Sequence, residues 1–119
     1  MVENTFQDIE ALKADFKTCQ KLLTALGDET RQHLLLIMLS GTCGGSRVVE
    51  IAEKTNLSRP AVSHHMQILK DAGIVKTRKE GTCIYYYLAP ENNRIETIIR
   101  LFQRIQKIME YAPDRSGDD

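Results

Sequence analysis

At 119 residues, with 16 Lys and Arg against 16 Asp and Glu and 42% apolar side chains, the chain is long enough for one core and has no formal net charge. That balance excludes a strongly basic, indiscriminate nucleic-acid binder and a highly charged disordered chain. No apolar run approaches the roughly 20 residues that span a bilayer and no signal core follows the N-terminus, so a soluble, cytoplasmic protein is expected.

The first segment places Phe6, Ile9, Leu12, Phe16, Cys19, Leu22, Leu23 and Leu26 three or four residues apart, the stripe of a long helix. Gly27 ends it, and Asp28 supplies an N-cap for a second helix over about Glu29 to Leu39, with Glu29 favourable in its first turn. The run LLLIML within it predicts a buried central helix. Gly41 stops that helix, and Gly44 with Gly45 reads as a flexible connector.

A third helix, about Arg47 to Lys54, carries Val48, Val49, Ile51 and Ala52 as its apolar side, and Thr55-Asn56-Leu57 turns the chain. Ser58 then caps a fourth helix, in which Pro60 is tolerated because the first turn needs no helical N–H. At about 100° per residue, Val62, His65, Met66, Ile68 and Leu69 fall on one side, and Arg59, Pro60, Ser63, His64, Gln67 and Lys70 on the other. Gly73 is placed to end this helix in the left-handed conformation.

Two strands follow, Ile74 to Lys79 and Thr82 to Leu88, rich in β-branched and aromatic residues and joined through Glu80-Gly81. Ile84, Tyr86 and Leu88 share one face of the returning strand, Cys83, Tyr85 and Tyr87 the other. A last helix is expected from about Glu91 to Tyr111, repeating Ile95, Ile98, Phe102, Ile105 and Met109. Residues 1–112 thus form a single domain with terminal helices, and 113–119 are a polar, frayed tail.

Charge is distributed unevenly. Glu3, Asp8, Glu10, Asp15, Asp114, Asp118 and Asp119 lie near the ends, whereas between Arg47 and Leu88 seven Lys or Arg accompany four Asp or Glu. Helix-turn-helix readers lay their second helix in the major groove. The outward face here suits such a role. Arg59 can pair with guanine or clamp a phosphate, Gln67 can pair with adenine, and Ser58, Pro60, Ser63, His64 and Lys70 complete the face. Lys76, Arg78, Lys79 and Thr82 on the hairpin would reach the adjacent backbone or minor groove. His65 lies on the apolar side and reads as a hydrogen-bonded core histidine; adjacent to His64, it makes no metal signature.

The stripes of the first and last helices lie outside this compact unit. A homodimer through Phe6, Ile9, Leu12, Phe16, Ile95, Ile98, Phe102, Ile105 and Met109 is expected, because paired half-sites in double-stranded DNA call for a two-fold protein. Cysteines at 19, 43 and 83, odd in number and without a CxxC pair, exclude a disulfide framework. They read as reduced thiols packed as small hydrophobes. No spaced nucleophile–base motif and no glycine-rich phosphate loop is present, so neither enzymatic activity nor a cofactor is expected.

The segments ALGDETR, SRPAVSHHMQILKDAGIV and the EG hairpin ending in YYYL resemble the ArsR/SmtB family of bacterial winged helix-turn-helix repressors, over about Leu22 to Leu88. The resemblance implies a homodimer joined through its first and last helices (α1-α2-α3-α4-β-β-α5), bound to an operator and released by an effector. It places Ser58, Arg59, Ser63, His64 and Gln67 on the DNA-reading helix. The family's thiol site for metals is a CxC on the third helix; those positions hold Arg47 and Val49 here. The other common site pairs His with carboxylates on the last helix, which in this chain has Glu91, Glu96 and Glu110 but no histidine. No metal site is expected. Two other readings stand beside the repressor: a winged-helix protein-interaction module without DNA binding, and a thiol-based redox sensor using Cys19 and Cys43.

Overall fold

The elements run α1 (Val2–Leu26), α2 (Glu29–Leu39), α3 (Val48–Glu53), α4 (Arg59–Asp71), β1 (Val75–Glu80), β2 (Cys83–Leu88) and α5 (Ile95–Tyr111), in a computed structural model that describes residues 2–41, 45–91 and 94–111. The order is the expected one, mainly α with one antiparallel hairpin. Lys21–Ile95 form one compact unit, and the described residues up to Gln20 and from Glu96 onward form a second. Cys43 and the tail 113–119 lie outside the described residues.

In Lys21–Ile95 the helix ends are written locally. The Asp28 carboxylate accepts the Arg31 backbone N–H at 3.0 Å, which satisfies one of the donors that the start of α2 leaves free. Ser58 Oγ accepts the Ala61 N–H at 3.2 Å and caps α4 in the same way. Gly73, at φ +85°, closes α4: its N–H meets Lys70 O at 2.9 Å and the Ile74 N–H meets Leu69 O at 3.2 Å. These are the two bonds of a Schellman motif, and the residue beyond it, Ile74, is buried as that motif favours. Leu22, Ala25, Leu34, Ile51, Val62, Met66, Leu69, Val75 and Tyr86 make the core, so every element of the unit contributes a side chain to it.

Several expectations need correction. α2 is not buried all round: Leu34 is, but Leu36 and Leu39 are exposed. They lie about 200° and 140° round the helix from Leu34, too far to share its face. α3 starts at Val48, because Arg47 is its N-cap, and the Arg47 backbone N–H donates to Glu50 Oε1 at 3.3 Å. The hairpin loop is Gly81-Thr82 and not Glu80-Gly81, since Glu80 pairs with Cys83. Gly81 takes the first loop position at φ +61°, a conformation that suits glycine. Gly45 is no loose connector. Its neighbour Ser46 exchanges two hydrogen bonds with Tyr86, at 2.9 and 2.8 Å, and a Cβ at Gly45 would lie 2.8 Å from Tyr86 O. The last helix begins at Ile95 and not at Glu91; just ahead of it the Arg94 N–H donates to Gly73 O at 3.3 Å.

In the second unit, Arg104 Nε on α5 meets Asp15 Oδ2 on α1 at 2.7 Å. Cys19, Ile98 and Leu101 are buried. Phe6, Phe16, Ile99, Phe102, Met109 and Tyr111 are exposed, an apolar content that a solvated pair of helices does not need.

Candidate nucleic-acid interface

α4 separates its two sides sharply. Val62, Met66 and Leu69 are fully buried, with His65 and Ile68 half-buried, so one face is held against the core. Ser58, Arg59, Pro60, Ser63, His64, Gln67 and Lys70 are all exposed, in line along the other. A helix held this way presents polar side chains on a fixed rod about 10–12 Å across, the width that a major groove admits.

Individual groups are less alike than their shared exposure suggests. Ser58 Oγ is engaged as the cap, so its remaining capacity is the hydroxyl proton. Arg59 occupies the first helical position, where the free N–H groups and the helix dipole also favour a phosphate. Gln67 Nε2 donates to Asp71 Oδ1 at 2.9 Å, an i,i+4 bond that must open before the amide can pair with both N6 and N7 of an adenine.

The hairpin bases do not form one cluster. Strand alternation puts Lys76 and Arg78 on one face and Lys79 on the other. Arg78 Nε meets Glu80 Oε1 at 2.9 Å, and its guanidinium lies 4.8 Å from the Tyr85 ring centroid, across the strand pair. Arg78 is thus braced on the hairpin. Lys79 and Thr82 are exposed at the tip, while Lys76 is half-buried beside Tyr87 in the register.

Arg47, where the resemblance puts a cysteine ligand, is a structural residue. Its Nε meets Glu50 Oε1 at 3.0 Å and its Nη1 donates to Cys83 Sγ at 3.9 Å. The Arg47 guanidinium holds the Glu50 carboxyl below the usual carboxylate range, while the Glu50 and Cys83 hydrogen bonds raise Arg47. With Val49 at the other position, this donor set does not fit a metal ion. Among the described residues no three His, Cys, Asp or Glu side chains converge to hold one, and no helix is long and apolar enough to cross a membrane.

Of the expected interface residues on the terminal helices, Phe6, Ile9, Phe16, Phe102 and Met109 are exposed, and Leu12, Ile95 and Ile105 half-buried. Ile98 is only 6% exposed and is committed within the chain. Ile99 and Tyr111, absent from the expected set, are exposed beside them in sequence. Cys19 is 1% exposed.

A capped helix with one face locked and one face polar and open, following a short turn from another helix and followed by a hairpin with a basic tip, defines a winged helix-turn-helix DNA-binding protein. The chain belongs to the ArsR family of bacterial regulatory proteins, whose model matches residues 28–77, from the cap of α2 into β1. It is a DNA-binding transcriptional regulator. Over 90 residues it is 37% identical to an uncharacterised helix-turn-helix-type transcriptional regulator of Methanocaldococcus jannaschii, covering 76% of this chain and 97% of that protein. Over 64 residues it is 38% identical to the transcriptional repressor SdpR of Bacillus subtilis, covering 54% of this chain and 68% of SdpR. Among solved structures, a homodimeric winged helix-turn-helix DNA-binding domain of Mycobacterium bovis, a possible ArsR-family regulator, matches with a TM-score of 0.59 at 28% identity, over 82% of this chain and 83% of that one.

Proposed function

We propose that the protein is a cytoplasmic, homodimeric repressor that places α4 of each protomer in successive major grooves of an operator and is released when an effector binds. The observation that carries this reading is the outward face of α4, where Arg59, Ser63, His64, Gln67 and Lys70 are exposed on a helix whose opposite side buries Val62, Met66 and Leu69. Arg59 and Gln67 read base edges, and Lys79 and Thr82 at the hairpin tip hold the flanking phosphates. Self-association buries Phe6, Phe16, Phe102 and Met109, and supplies the two-fold symmetry of paired half-sites. The homodimeric Mycobacterium bovis domain and the repressor SdpR support assembly and sign of regulation respectively.

The test uses a duplex enriched by the protein from a random-sequence library and an unselected duplex of equal length, with affinities read by fluorescence anisotropy across a salt series. Lys79→Ala should weaken both duplexes alike and make the salt slope shallower by about one unit. Gln67→Ala should cost about tenfold on the enriched duplex alone. If neither substitution alters either duplex, α4 and the hairpin are not the DNA surface.

A further inference from the structure

Arg31 is the one charged side chain buried among the described residues, 9% exposed. Among the described residues its guanidinium has no carboxylate hydrogen-bond partner. Nε donates to Ala25 O at 2.8 Å and Nη2 to Thr24 O at 3.2 Å, carbonyls in the last turn of α1 that have no helical donor ahead of them. Nη1 lies 3.2 Å from His65 Nδ1 on α4. One side chain in the first turn of α2 thus ties the end of α1 to the middle of the DNA-reading helix.

The chemistry of that third bond is restrictive. A guanidinium only donates, so His65 Nδ1 must accept, and the imidazole must be neutral with its proton on Nε2. A protonated His65 has no acceptor and would set a second cation against Arg31. Asp28 and Arg31 at the start of α2 face His65, and His64 on α4 lies with its ring centroid 5.8 Å away. The α1 corner offers the Thr24 and Ala25 carbonyls.

Apolar contacts through Val62, Met66 and Leu69 hold α4 down but are non-directional, whereas a hydrogen bond specifies an angle about the helix axis. Bidentate base contacts do not tolerate rotation about that axis. We propose that Arg31 and His65 are positioning residues: their hydrogen bond fixes the rotation of α4 against the α1–α2 corner, and so sets base discrimination rather than general DNA affinity. The link depends on His65 offering Nδ1 as an acceptor. This inference rests on the DNA-reading role of α4.

The experiment compares the enriched and unselected duplexes for the wild type, Arg31→Lys, His65→Leu and His65→Gln, each confirmed as folded by circular dichroism. Arg31→Lys loses the fork, His65→Leu loses the acceptor, and His65→Gln keeps an acceptor. The affinity ratio between the duplexes should fall about tenfold for the first two, with the unselected duplex bound as before, and be restored in His65→Gln. Should Arg31→Lys fail to fold, the two His65 variants decide the matter alone. Retention of the ratio in His65→Leu, or an equal loss in His65→Gln, overturns the link. A wild type that enriches no sequence removes the DNA-reading role itself, whereas discriminating variants remove only this link.

Discussion

The Lys21–Ile95 unit and the terminal helices treat the same kind of sequence stripe in opposite ways. Within Lys21–Ile95, Leu34, Val62, Met66 and Leu69 retain no exposed surface. On the terminal helices Phe102 is 53% and Met109 70% exposed, although their spacing is as regular as that of any core stripe. Helical periodicity therefore marks a face that will be covered without saying by what. In the first region the chain covers it; in the second the proposed dimer does.

Two substitutions break the comparison from its two ends. Leu69→Ala removes a fully buried side chain, and should cost about 3 kcal/mol in urea unfolding, the usual scale for opening a cavity in a packed core. Phe102→Glu instead places a charge on an exposed apolar stripe. It should leave the helical circular dichroism of the protein intact, convert the dimer to a monomer in sedimentation velocity, and weaken the enriched duplex about a hundredfold by uncoupling two half-sites. If Phe102→Glu sediments as the wild type does, the exposed stripe is not the dimer surface and both regions merely solvate differently.

The same contrast separates what is legible in the sequence from what is not. Caps are legible because they are local: Ser58 and Gly73 act on backbone groups within a few residues, and both stand where side-chain chemistry places them. The two faces of α4 are legible because a helix fixes its own angles. What escapes is non-local. Nothing in LLLIML says which residues find partners, and Leu36 and Leu39 stay exposed among the described residues. Gly45 looks like slack in sequence because its neighbour's strand-like bonds are to Tyr86, on a distant element. His65 reads as a hydrogen-bonded core residue, but its partner is 34 positions away, beyond any local pattern. Lys76, Arg78 and Lys79 look like one basic cluster because they are close in sequence, whereas a strand sends neighbours to opposite faces.

The smallest expected effect sharpens the comparison at the corner where α1 passes into α2. The Arg31 backbone N–H holds the Asp28 carboxyl below its ordinary range, with the Arg31 guanidinium acting in the same direction. A carboxyl depressed in the folded state favours folding at every pH above its unfolded value. That contribution fades as pH drops below the unfolded value and is gone once pH has fallen through the folded one. Asn caps a helix about as well as Asp but does not titrate. Asp28→Asn should therefore leave urea unfolding at neutral pH nearly unchanged while making the acid limb of stability against pH shallower. Lys21–Ile95 holds this cap, so the change should appear equally in the dimer and in the Phe102→Glu monomer. An acid limb as steep as that of the wild type in both forms would show that the cap does not carry the acid sensitivity.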